Sequence, residues 1–204
     1  MTHADPIDLF LASASPRRQE VLQRMGVRFD TLSQHADERL NPEETPEVFV
    51  VRLALEKARS GLAARPAGAG QPVLGADTAV VVDDDVLGKP ADQAEAQAML
   101  SRLSGRTHRV VTGVALADGE HEATRLSLSM VTLRELAPAE IDAYWASGEP
   151  ADKAGGYAIQ GRGGVFIEQL EGSWSGVMGL PMFETHELLS DFGINYQARW
   201  PEQA

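Results

Sequence analysis

Ser13, Ser15, Arg17 and Arg18 fall within the string Ser13-Ala14-Ser15-Pro16-Arg17-Arg18, where an apolar run gives way to helical spacing. A helix start exposes unpaired backbone N–H groups, and together with hydroxyls and guanidiniums these attract phosphate. The same string also reads as an ordinary N-cap followed by two solvated arginines. Asp77 interrupts the otherwise apolar run Val73 to Val82. A carboxylate buried there costs several kcal/mol unless a cation, hydrogen bonds or solvent compensates for it; the alternative is that it points to the solvent side of a hairpin. Thr78 beside it is a good strand former on the bland reading.

Taken singly, Lys57 among Leu53, Leu55 and Ala58, Lys89 in Leu87-Gly88-Lys89-Pro90, and Glu38 all read as solvated charges. Gln160, read as the end of a strand beside glycines, has a side-chain amide able to read a base edge by paired hydrogen bonds, or to bond local backbone instead. The acidic run Asp83 to Asp85 resembles a metal site, but its place at a hairpin tip makes it a solvated turn. None of the five histidines, His3, His35, His108, His121 and His186, has a partner at metal-ligand spacing, and neither a P-loop nor a G-x-S-x-G elbow is present.

These residues need elements to position them. Ile7 to Ala12 predicts a strand that turns into a helix, with Ser15 as N-cap, Pro16 at the first helical position and Gly26 as its stop. Val27 to Ser33 predicts a second strand, and after a polar stretch from Gln34 to Glu44, Thr45-Pro46 opens a helix through about Ala64 with Val50, Leu53 and Lys57 on one side. Arg65 to Pro72 suits a surface loop. Val73 to Val82 and Val86-Leu87 flank the Asp83–Asp85 break as a hairpin. Asp92 and Glu95 make a capping-box variant ahead of a helix closed by Gly105. Arg109 to Ala117 and Arg125 to Leu133 predict a β-ribbon around Asp118-Gly119, with Leu126, Leu128 and Met130 alternating as on a half-buried strand. Pro138 starts a helix ending near Gly148. Tyr157 to Gln160 and Val165 to Leu170 are expected as strands, and Pro181 begins a last helix stopped by Gly193. Interleaved strands and helices with hairpins predict an α/β class with a mixed sheet.

The chain has 204 residues, 43% of them hydrophobic, so it can bury a real core, and it is expected to form one domain over 1–204. With 18 Lys+Arg against 30 Asp+Glu its formal charge is −12, which disfavours long nucleic acid but not a small anion held in a local basic pocket. The absence of cysteine excludes disulfides, thiolate zinc sites and cysteine nucleophiles. No apolar run approaches the roughly 20 residues of a membrane span, and the start MTHADPIDLFLASAS lacks the features of a secretory leader. The expectation is a cytosolic protein with no membrane association.

Leu11-Ala12-Ser13-Ala14-Ser15-Pro16-Arg17-Arg18, Glu56-Lys57-Ala58, Gly75-Ala76-Asp77-Thr78, Gly88-Lys89-Pro90, Ser104-Gly105, Gly148-Glu149-Pro150, Asp152-Lys153-Ala154-Gly155, Ala158-Ile159-Gln160-Gly161 and Gly179-Leu180-Pro181 occur in that order. The ordered set resembles the Maf family of nucleotide pyrophosphatases from about Leu9 to Gly193. Gly-Ala-Asp-Thr and Ala-Ile-Gln-Gly make it similar to the dTTP/UTP pyrophosphatase branch; the branch acting on 7-methyl-GTP tends to carry Asp-Gln in place of Asp77-Thr78. The loop Gly172-Ser173-Trp174-Ser175-Gly176-Val177 departs from the family pattern at Trp174 and Gly176.

The resemblance implies a mixed twisted sheet flanked by helices, with a cleft between two lobes. It implies Asp77 as proton acceptor and Arg17, Thr78 and Gln160 as positions tuning substrate choice, with Ser13, Ser15, Arg18, Lys57 and Lys89 completing the substrate site. A divalent cation, Mg or Mn, is expected, with Glu38 and Asp77 as its contacts, and a nucleoside triphosphate as substrate; a homodimer stays open. Three activities follow: a pyrophosphatase on dTTP and UTP, with CTP and base-modified uridine triphosphates as further substrates; a nucleotide-binding regulator of septum formation with incidental hydrolysis; and a phosphoanhydride hydrolase releasing orthophosphate.

Overall fold

The structure is a computed structural model that describes residues 6–33, 36, 38–41 and 43–203, with side chains through Trp200. The expectations for the first five residues, including His3, and for Gln34, His35, Asp37 and Pro42 in the polar stretch lie outside the described residues. Strand β1 (Leu9–Leu11) leads into helix α1 (Pro16–Met25), then β2 (Phe29–Thr31), α2 (Pro46–Ala64), β3 (Val73–Val82), β4 (Asp85–Leu87) and α3 (Gln93–Leu103). The ribbon β5 (Thr107–Ala117) and β6 (Glu122–Leu133) follows, then α4 (Pro138–Ala146), short 3-10 turns, β7 (Ile167–Glu171), α5 (Trp174–Met178) and α6 (Met182–Asp191). The seven strands form one mixed sheet in the order β2-β1-β3-β5-β6-β7, with β4 on β3. β1 runs parallel to β2 and β3, and the other pairs are antiparallel.

The local signals explain most boundaries. Gly26 adopts φ 78° and closes α1, and the Thr45 hydroxyl accepts from the Val48 N–H at the start of α2. Asp83 and Asp84 take φ 51° and 66°, the left-handed pair of a two-residue hairpin turn. Their carboxylates, with that of Asp85, pair with Arg106, Arg109 and Arg102, so the acidic run is an ion-paired turn.

Alternation along β3 sorts its side chains. Odd positions face α2, where Ala79 and Val81 pack on Phe49, Val50 and Leu53; each of the larger side chains, Val81, Phe49, Val50 and Leu53, contributes about 1.5–3 kcal/mol by burial. Even positions face the other layer, where Leu74 and Ala76 join the cluster under α1 and α6, and Val80 and Val82 join the one under α3 and α4. Thr78 lies between the two clusters. α2 lies close because Gly75 and Gly113 offer no side chain: a methyl at either would come within 2.1 Å or 2.4 Å of the carbonyls of Ala54 and Val50.

Four expectations are corrected. Tyr157 to Gln160 is not a strand but an irregular segment between 3-10 turns, because the Ala158 N–H donates to the Tyr144 hydroxyl instead of entering a ladder. Leu126 and Leu128 are 40% and 47% exposed, while Ser127 and Ser129 are buried. The serines face the segment before α5, where Ser129 Oγ accepts from the Ser173 N–H, and α2 lies mainly over β3 and β5 and leaves the leucines uncovered. Finally, α6 is followed by a 3-10 segment, Tyr196–Gln203, and Gly172 to Val177 contains the start of α5, capped by Ser173.

His108 on β5 is buried, with Nε2 2.7 Å from the Tyr157 hydroxyl and Nδ1 without a partner among the described residues. Burial pushes its pKa down from 6.5 to about 4. The imidazole stays neutral in the fold while the unfolded chain takes up a proton, so stability falls as pH drops from about 6.5 towards 4. His108→Gln is expected to remove about 2 kcal/mol of the stability loss between pH 7 and pH 5, read by urea unfolding at the two pH values.

Candidate active site

β1 accompanies β3 only at Val73 and Leu74, and β4 joins it only at Val80. From Gly75 to Ala79 the strand keeps its β5 partners, Ala115 to Val111, but among the described residues it has no strand on its other edge. A cavity of about 1020 Å³ adjoins this open edge and the end of β1. An unpaired edge exposes side chains from both faces of a strand, which is why Asp77, on the α2 face, and Thr78, on the opposite face, line the same cavity. All ten residues singled out from the sequence line it: Ser13, Ser15, Arg17, Arg18, Glu38, Lys57, Asp77, Thr78, Lys89 and Gln160.

Lys57 and Asp77 form the buried centre. Lys57 is 4% exposed, at the cavity-facing turn of α2, and its Nζ lies 2.7 Å from Asp77 Oδ1 and 2.7 Å from Glu38 Oε1. The ammonium compensates for the Asp77 carboxylate inside the strand, and its hydrogen bond holds the Glu38 carboxyl below its ordinary pKa. One oxygen of each acid is committed to Lys57; Asp77 Oδ2 and Glu38 Oε2 have no hydrogen bond among the described residues.

The start of α1 differs from its expected form. Ser15 occupies the N-cap position but its side chain makes no capping bond; its own N–H donates to Ser13 Oγ at 3.2 Å. The first turn also contains no acidic residue, so its unpaired N–H groups remain available to an anion. Arg18 is tethered on two sides, with Nε donating to Gly179 O at 2.8 Å and Nη1 to Ser13 Oγ at 3.2 Å. Burial pushes its pKa down and the Asp77 charge opposes that shift; Arg17 is likewise lowered by burial, with Asp152 opposing. Lys89 is exposed on the loop after β4.

Thr78 Oγ1 lies 2.9 Å from Thr112 Oγ1, and Thr112 Oγ1 donates to Gly176 O at 2.8 Å. A carbonyl only accepts, so the single Thr112 proton is committed to it, and the Thr78 hydroxyl must donate to Thr112. Thr78 therefore presents only acceptor lone pairs to the cavity. Thr112 had no sequence signal, because only the β3–β5 register places it opposite Thr78. Tyr157, Asp152 and Lys153 also line the cavity and were not picked out as site residues. For Asp152 and Lys153 the signal was their place in an ordered motif; for Tyr157 there was none.

The fold and cavity define an α/β protein whose open strand edge sets a buried carboxylate opposite a helix start suited to phosphate. The chain belongs to the Maf family: the profile of that family, described as Maf-like protein, matches residues 8–192. It is 58% identical over 195 residues to a protein of Alkalilimnicola ehrlichii named dTTP/UTP pyrophosphatase, covering 94% of this chain and 96% of the relative. Proteins with the same name in Yersinia pestis and Escherichia coli are 50% identical over 184 and 191 residues, covering 90% and 94% of this chain and 92% and 96% of theirs.

The ion pair has an asymmetric energetic signature. Lys57→Met leaves a buried carboxylate without its cation and is expected to destabilise the fold by about 3 to 5 kcal/mol. Adding Asp77→Asn to Lys57→Met should restore much of that loss. Urea unfolding of the two single variants and the double variant gives the coupling; equal and additive losses would show that the pair is not the compensating interaction.

Proposed function

We propose that the chain is a nucleoside triphosphate pyrophosphatase that hydrolyses dTTP and UTP to the monophosphate and pyrophosphate in the cytosol. The observation that carries this reading is the meeting, in one cavity, of the uncapped start of α1 with the buried carboxylate of Asp77. The names of the three relatives support the reaction and the pyrimidine substrates. A triphosphate carries about four negative charges, and the N–H groups at the start of α1, with Arg17, Arg18 and Lys89, are the groups suited to receive it. Asp77, through Oδ2, accepts a proton from water as that water attacks the α-phosphorus. The bond from the α-phosphorus to the bridging oxygen breaks, and pyrophosphate leaves with the electron pair. Lys57 holds the Asp77 carboxylate in place through the hydrogen bond to Oδ1.

Thr78, as an acceptor, is unsuited to a phosphate oxygen and suits a donor on the substrate or an ordered water. Gln160 is half-buried, lines the cavity and has no hydrogen bond of its side-chain amide to protein among the described residues. Its amide can donate to one group and accept from the neighbouring one along the carbonyl and N–H edge of uracil or thymine.

A divalent cation, Mg or Mn, belongs to this reading. Among the described residues no cluster of three or more His, Asp or Glu side chains is placed to hold a metal. Glu38, with Oε2 free of Lys57, would nevertheless hold an ion of the magnesium type, which takes one or two carboxylates and completes its shell from phosphates and water, and Asp77, whose Oδ2 is kept for the proton, would contact it through water. When bound, such an ion supplies charge neutralisation at the phosphates.

Incubation of UTP with the protein and magnesium or manganese is expected to give UMP and pyrophosphate, with excess chelator abolishing turnover. UDP and orthophosphate as first products would overturn the reaction class, and undiminished turnover in chelator would remove the metal. Asp77→Asn retains shape but not basicity, so kcat should fall by a factor on the order of 10² to 10⁴ with the fold intact, as seen in steady-state kinetics beside thermal melting. A near-normal kcat would make Asp77 structural.

A further inference from the structure

Glu149 lies outside the cavity and takes no part in the chemistry proposed above, yet it has a dense set of partners. Its Oε1 accepts from the Tyr144 hydroxyl at 2.7 Å and from the Gly163 N–H at 3.0 Å, and its Oε2 accepts from the Arg162 N–H at 3.0 Å. The Tyr144 oxygen in turn accepts from the Ala158 N–H at 3.0 Å. Gly161 packs directly on the carboxylate: a methyl there would lie 2.4 Å from Oε2. The segment from Ala158 to Gly163 thus wraps around one carboxylate, and Gln160, which lines the cavity together with Ala158 and Ile159, is its member with a polar side chain there.

We infer that Glu149 and Tyr144 form a clamp that positions the Gln160 amide and thereby sets the selectivity of the site for its base; this rests on the reading of Gln160 given above. Three features carry the inference. The segment has no strand partner to hold it, so these bonds, with the 3-10 contact from the Gly161 N–H to Ala158 O, fix its backbone. The clamp grips on both sides of Gln160, at Ala158 and at Arg162 and Gly163, so loosening it moves the amide while leaving Asp77, Lys57 and α1 in place. A base edge is also read by paired hydrogen bonds, whose strength decays steeply with misalignment. Glu149 is ionised in this setting: the N–H donors of Arg162 and Gly163 and the Tyr144 hydroxyl hold its pKa down against desolvation. An amide in its place cannot accept at both atoms, so Glu149→Gln must lose a grip on one side of the wrapped backbone.

The test is a kinetic cycle on the full chain with UTP and 7-methyl-GTP as probes. Glu149→Gln is expected to lower kcat/KM for UTP by about tenfold, mostly through KM, while kcat/KM for 7-methyl-GTP changes little. In a Gln160→Ala background Glu149→Gln should have no further effect on the ratio, because the clamp acts only through Gln160. Tyr144→Phe keeps the ring edge-on to Phe166, drops the Ala158 bond, and should shift the ratio in the same direction even if Glu149→Gln folds poorly. Equal losses on both substrates, or effects of Glu149→Gln and Gln160→Ala that multiply, overturn the clamp. Unaltered ratios in Glu149→Gln and Tyr144→Phe beside an altered ratio in Gln160→Ala overturn the clamp alone. An unaltered ratio in Gln160→Ala overturns the reading of Gln160 and the clamp with it.

Discussion

The ammonium of Lys57, buried between the carboxylates of Asp77 and Glu38, is the interaction on which the rest of the site depends. A carboxylate inside a mostly apolar strand is tolerable only with such a partner, and a lysine on the buried face of a helix needs one just as much. Each therefore accounts for the presence of the other. The pairing also constrains the backbone. The Lys57 side chain can span to β3 only because α2 lies directly on it, and that approach depends on Gly75 and Gly113 having no side chain. The cost of desolvating the pair is offset by the apolar face of α2, where Phe49, Val50 and Leu53 pack on Ala79 and Val81. Stability and site thus draw on the same helix face.

The cavity lies here because the sheet is incomplete. β1 leaves β3 after Leu74 and β4 joins it only at Val80, so the intervening stretch is a strand with one edge paired and the other open. An open edge in a sheet is ordinarily a liability for aggregation. Here it is short and recessed between two apolar clusters, one under α1 and α6 and the other under α3 and α4, so it opens into a cleft of the molecule instead of onto its outer surface. Parallel pairing of β1 and β3 adds a second consequence. The chain leaving β1 must turn over the open edge to begin α1, which brings the N–H groups of that helix beside Asp77 and Thr78.

The local grammar of the sequence made this framework legible. Pro16 and Gly26 bound α1, Thr45-Pro46 opens α2, and the interrupted run around Asp83 to Asp85 is a hairpin. Lys57 was placed on the face of Val50 and Leu53 by helical spacing alone. The features that were not legible all depend on partners distant in the chain. Thr112 controls the Thr78 proton only through the β3–β5 register. Tyr157 to Gln160 has the composition of a strand, yet its backbone is bound by Tyr144 and Glu149, side chains whose roles no local pattern reveals. Leu126 and Leu128 alternate as a buried face should, and only the position of α2 decides that the serines between them face inwards. Periodicity states that two faces exist; the packing decides which one is covered.

On the proposed function, a chain of net charge −12 must separate its long-range field from its short-range one to receive a triphosphate. Within the cavity six cationic side chains stand against five carboxylates, so the lining is locally balanced while the molecule as a whole is acidic. The charge of Lys57 is shared between Asp77 and Glu38. The anion must then be met by groups with charge or N–H capacity to spare: the uncapped first turn of α1, Arg17 and Lys89, with Arg18 holding two of its donors against Gly179 and Ser13. The consequence is a division of labour by distance from the sheet. The charge that holds Asp77 is internal and compensated, and the charge that would meet the ligand in the proposed reaction lies on a helix start and loops at the rim.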